Sequence, residues 1–99
     1  MMPDILPPVH PGEILREEYL LPLAMSAGSL AKKLGVPRTR IERIVTETAP
    51  VTTDTGLRLA KFFTTSPEFW MNLQASYDLK ISARALQADL DRIERYEAA

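Results

Sequence analysis

Between Leu30 and Ile44 the chain reads Leu-Ala-Lys-Lys-Leu-Gly-Val-Pro-Arg-Thr-Arg-Ile-Glu-Arg-Ile, and this stretch leaves few folds open. Leu30, Ala31 and Leu34 stand at i, i+1 and i+4 on one helical face, and Ala31 is small enough for a second helix to cross close above it. Gly35 can take positive φ, so the first helix is expected to stop there. Pro37 suits the first position of a following helix, because its missing N–H would have no intrahelical partner. Ile41, Ile44 and Val45 then form that helix's inward face at i, i+3 and i+4. Two short helices crossing at a tight Gly turn have the spacing of a helix-turn-helix.

The outward residues of the second helix carry the functional signal. At about 100° per residue, Thr39, Arg43 and Thr46 lie opposite Ile41, with Arg40 and Glu42 on the flanks and Arg38 in the first turn. An arginine in a first turn opposes the positive end of the helix dipole at a cost of about 0.3–1 kcal/mol, so helix stability does not place Arg38 and Arg40 there. Phosphates or guanine edges would. A recognition helix enters the major groove N-terminus first, where Arg pairs with guanine O6 and N7 and a Thr methyl meets a thymine methyl. The competing reading of the same residues is a solvated charged face in a helix bundle.

The formal net charge of −1 conceals a segregated distribution. Residues 26–50 hold Lys32, Lys33, Arg38, Arg40 and Arg43 against Glu42 and Glu47, a local excess of +3, whereas Glu13, Glu17 and Glu18 make the N-terminal quarter acidic. A local basic patch matters more for phosphate binding than the total. Because +3 is modest, a homodimer is expected to be needed for useful affinity. With 99 residues and 45% hydrophobic content the chain supports one small core. Absent cysteine excludes disulfides and thiolate zinc sites, and no apolar run approaches a membrane span, so the expected location is the cytoplasm with no membrane association.

Along the chain, residues 1–9 hold three prolines and are expected to form an extended arm. A helix should start at His10-Pro11-Gly12-Glu13, with Pro11 at N1 and Glu13 at N3, and end near Leu21 before Pro22. Ser26 is placed to cap the helix that carries Leu30, and Thr52 or Thr53 to cap a fourth with Asp54 in its first turn. Ser66, Pro67 and Glu68 open a fifth, whose Phe69, Trp70, Leu73 and Tyr77 repeat as a core seam. From Ser82 a last helix carries a narrow stripe of Leu86, Leu90 and Ile93, suited to one partner helix, which can belong to another chain. The expected organisation is an arm over 1–9, a helix-turn-helix domain over 10–80 and a C-terminal helix over 81–99. His10 is the only histidine. Without a cysteine or second histidine beside it, it reads as a cap or loop residue rather than a metal ligand or base. No phosphate loop, catalytic triad or supported carboxylate pair occurs, so no enzyme activity, metal or cofactor is expected.

Taken together, Val9-His10-Pro11-Gly12-Glu13-Ile14-Leu15, the Leu30–Ile44 segment, Thr53-Asp54-Thr55-Gly56-Leu57-Arg58-Leu59-Ala60-Lys61-Phe62-Phe63 and Ser66-Pro67-Glu68-Phe69-Trp70-Met71-Asn72-Leu73-Gln74 resemble the HigA antitoxin family. This family, also called VapI-like or plasmid-maintenance antidote proteins, lies within the Xre-type helix-turn-helix group. The resemblance spans roughly residues 7–80. It implies an all-α fold, a five-helix Xre or lambda-repressor-like domain with an additional C-terminal helix. It also implies a dimeric repressor of its own operon that binds double-stranded operator DNA, with a HigB-type mRNA-cleaving toxin as the partner it neutralises. The positions matching the family's recognition helix make Arg38, Thr39, Arg40 and Arg43 the DNA-contact candidates, with Ser29 and Thr48 as further candidates for phosphate contacts.

Three departures from the family pattern stand out. Glu47-Thr48-Ala49-Pro50 replaces a loop usually rich in Gly and Lys or Arg, Glu42 replaces a frequent Asn, and Thr64 stands where Gly usually ends the fourth helix. A β-branched residue at that position would be strained by positive φ. Two alternatives follow: a stand-alone Xre-like repressor with no toxin, or a toxin-binding module whose DNA binding is weakened by Glu42 and Glu47.

Overall fold

The computed structural model describes residues 7–97, and every regular element among them is helical. α1 (Pro11–Ile14) passes directly into a π-helical stretch (Leu15–Leu20), followed by α2 (Ala27–Leu34), α3 (Arg38–Val45), α4 (Thr53–Phe63) and α5 (Pro67–Asp91). Of the expected N-terminal arm, residues 1–6 lie outside the described residues, and Pro7, Pro8 and Val9 carry no regular structure.

The helix starts follow from side chains that satisfy free backbone donors. Ser26 Oγ accepts the Ser29 N–H at 3.0 Å, Thr52 Oγ1 accepts from Thr55 at 3.4 Å, and Ser66 Oγ accepts from Phe69 at 3.1 Å. Gly35 ends α2 in the left-handed region at φ +70°. Pro37 is the N-cap of α3 rather than its first helical residue. Its ψ of 143° keeps it extended, and its carbonyl receives the Arg40 N–H at 3.1 Å. The first helical segment reaches Leu20, but its second half is wound wider than expected. The Leu21 N–H reaches back five residues to Arg16 O at 3.0 Å, and this register turns both Leu15 and Leu20 inward.

Trp70 is the largest fully buried side chain, packed with Leu15, Leu30, Ile41, Ile44 and Leu59. Its Nε1–H donates to Thr65 Oγ1 at 2.9 Å, and the Tyr19 and Phe69 rings lie 5.2 and 5.0 Å away. The predicted seam on α5 is therefore narrower than expected. Leu73 and Tyr77 are half-buried and Phe69 is exposed, while Gln74 takes the second fully inward position. Gln74 Oε1 accepts the Val51 N–H at 2.7 Å, satisfying a buried donor in the α3–α4 loop.

The separate C-terminal helix expected from Ser82 is the continuation of α5, one uninterrupted helix of 25 residues. Lys80-Ile81-Ser82-Ala83 contains no Gly or Pro to stop it, and Ser82 caps nothing because the backbone before it is already helical. From Ile81 onward every described residue is exposed. The distal half of α5 thus projects from the body, and the molecule measures 57 × 24 × 22 Å.

Candidate nucleic-acid interface

α3 reaches the surface because α1 holds it from below. His10 caps α1, its Nδ1 accepting the Gly12 N–H at 2.8 Å, and its ring meets Tyr77 of α5 edge-on at 4.8 Å. A Cβ on Gly12 would stand 1.7 Å from the Ile44 carbonyl oxygen, so only glycine permits this approach of α1 to α3. Arginines from neighbouring helices then close both C-termini of the helix-turn-helix. Arg58 Nη1 donates to the Leu34 carbonyl at 2.7 Å at the end of α2, and Arg16 Nη1 donates to the Val45 carbonyl at the end of α3.

The predicted contact residues on α3 are all exposed. Thr39, Arg40 and Arg43 line a shallow cleft with Pro37, Pro50, Thr52 and Asp54, so the structure brings the first turns of α3 and α4 together. Arg38 is 73% exposed, and its Nε lies 3.3 Å from Glu42 Oε1. Arg43 has no ion-pair partner among the described residues. Ser29 is exposed in the first turn of α2. Thr48 is not part of the cleft. Its hydroxyl donates to the Arg43 carbonyl at 3.1 Å and lies 3.2 Å from Thr46 Oγ1, which closes the end of α3.

The two acids that distinguish this chain behave differently. Glu42 offsets the charge of Arg38 directly. Glu47, at φ +64°, turns toward the π-helical stretch and pairs with its Arg16 at 3.3 Å, away from the cleft.

Sequence reasoning missed Asp54 as a member of the site. Its Oδ2 lies 2.6 Å from Arg40 Nη1, while both its oxygens lie 3.2 Å from Arg58 Nε. Hydrogen bonds from Arg58, then from Arg40, hold this carboxyl below the usual carboxylate range, so it is ionised at neutral pH. The Asp54–Arg58 pair is an i, i+4 spacing visible in the sequence. The contact with Arg40 depends on how α3 and α4 cross, and no local pattern reports that.

Among the described residues, no helix is long and apolar enough to cross a membrane and no cluster of His, Asp or Glu is arranged to hold a metal ion. No family model matches the chain. Individual relatives do. Virulence-associated protein I of Dichelobacter nodosus is 48% identical over 83 residues, which is 84% of this chain and 77% of the relative. A solved addiction module antidote protein of the HigA family from Coxiella burnetii is 44% identical, superposes with a TM-score of 0.87 and covers 92% of this chain and 100% of its own. The Pseudomonas aeruginosa antitoxin HigA, solved with the higBA promoter, is 38% identical with a TM-score of 0.89, covering 91% of this chain and 99% of its own. With the helix-turn-helix and its bracing helices in place and these relatives matching over most of their length, the chain belongs to the HigA antitoxin family.

Proposed function

We propose that this protein is the antitoxin of a type II toxin–antitoxin module. As a homodimer it binds operator DNA upstream of its own operon and represses it, and it neutralises a HigB-type mRNA-cleaving toxin by direct binding. The observation that carries the DNA-binding half is the exposed face of α3. Three arginines and a threonine face solvent at the N-terminal end and middle of a helix whose buried side is fixed by Ile41 and Ile44. In this reading α3 enters the major groove, with Arg38, Thr39, Arg40 and Arg43 at base edges and nearby phosphates. Ser29 meets a flanking phosphate, and Thr48, whose hydroxyl and N–H both donate to the Arg43 carbonyl, supports the end of α3 beside it. The solved HigA with its promoter supports the assignment by likeness.

The dimer is assigned to the distal half of α5. Leu79, Ala83, Leu86 and Leu90 recur at four-, three- and four-residue intervals and are all exposed, the spacing of a two-helix seam, and exposed Ile93 follows just past the helix end. Pairing there would bury a stripe that the monomer leaves in water. It would also present two copies of α3 to half-sites about 34 Å apart. A regulator of this kind works in the cytoplasm, where its operator and its toxin are.

The test is a titration of the purified protein against DNA from its own upstream region, with a scrambled duplex as control, at two salt concentrations. Preferential binding that weakens as salt rises is expected, the logarithmic slope growing by about one for each phosphate contact. Equal, weak binding to both duplexes would contradict the repressor role and leave the toxin-binding role to be tested alone.

A further inference from the structure

A chain of charge-assisted contacts runs from the end of α2 to the surface of α3. Arg58 is fixed at one end by the Leu34 carbonyl, its Nη1 donating at 2.7 Å. Its Nε holds both oxygens of Asp54 at 3.2 Å, and Asp54 in turn holds Arg40 Nη1 at 2.6 Å. The contact engages only one nitrogen of Arg40. The Nε–Nη2 edge, with its two parallel donors, is left for a guanine. Arg40 is accordingly only 41% exposed, against 73% for Arg38, whose one partner is on its own helix.

We propose that Asp54 is a positioning residue for base recognition, holding Arg40 in the orientation that reads a base in the operator. This rests on the operator-binding reading. A flexible arginine loses rotamer freedom when it binds, and one already held by a fixed carboxylate loses less. A surface acid facing DNA otherwise only repels phosphate. Here Arg58 anchors the acid from behind, and its two arginine partners offset its charge. Asp54 therefore costs some general DNA affinity while sharpening the preference for the correct sequence.

The experiment compares wild type, Asp54→Asn, Arg40→Ala and the double variant on the operator, on single-base-pair operator variants and on a scrambled duplex. Thermal melts confirm that each is folded. Asp54→Asn is expected to bind the scrambled duplex as well as wild type or better. Its operator preference should fall by about five-fold or more, the lower end of what one bidentate base contact supplies. In the Arg40→Ala background the same change should leave the preference unaltered. The base pair whose replacement is silent in Arg40→Ala should also become nearly silent in Asp54→Asn. An unchanged or increased preference in Asp54→Asn, or a loss that persists without Arg40, would overturn the proposal. A wild-type protein with no preference for the operator would instead overturn the operator-binding reading and this inference with it.

Discussion

At the scale of single residues, chemistry and support separate cleanly in this chain. Arg40 and Arg43 are exposed and make no contact needed for the core, so Arg40→Ala and Arg43→Ala should each lose about 1–3 kcal/mol of operator binding with little change in melting temperature. His10 is the reverse case, buried and supportive. Burial pushes its imidazole below the ordinary value, with Glu47 and Asp78 pulling weakly the other way. The unfolded chain therefore takes up the proton first as pH falls. The stability that the neutral ring supports is complete above about pH 6.5 and declines below it. Urea midpoints measured at about pH 7.5 and about pH 5.5 should fall further for wild type than for His10→Asn, which keeps a capping oxygen but does not titrate. Thr64 holds φ +59° at the end of α4, where a β-branched residue is strained. Thr64→Gly should raise stability by about 1 kcal/mol in a urea titration.

At the scale of elements, the fold was legible wherever the signal is local. Ser26, Gly35, Thr52 and Ser66 mark helix ends through side-chain acceptors and φ values that belong to the marked residue itself. The π-helical winding of Leu15–Leu20 was not legible, because it follows from the need to bury two leucines five residues apart against helices distant in sequence. Likewise the stripe with Leu86 and Leu90 is exposed in the single chain, but the helix that carries it does not begin at Ser82, a capping residue that here lies mid-helix. The candidate site divides the same way. The four α3 residues were readable from helical phase, whereas Asp54 joined them only through the crossing of α3 and α4. The seat of α3 on α1 depends on Gly12. Gly12→Ala would drive a methyl into the Ile44 carbonyl, so it should lower stability by about 2–3 kcal/mol and weaken DNA binding in proportion to the lost fold.

At the scale of the whole molecule, the proposed function uses two separate surfaces: a helix-turn-helix end with arginines exposed on α3, and a projecting α5 with an exposed apolar stripe. If that stripe joins two copies, Leu86→Asp with Leu90→Asp should give a folded monomer by light scattering, since both side chains are exposed in the single chain. Operator affinity would then drop as the two half-sites cease to be bound together. The central claim, that α3 and the turns beside it form the DNA-reading surface, is tested most directly by amide chemical shifts of labelled protein titrated with its upstream duplex. The largest changes should fall on residues 37–43, with smaller ones at Ser29 and residues 52–54, and the amides of residues 13–18 in the first helical segment should stay still. Changes concentrated on that acidic segment, with α3 silent, would contradict the account.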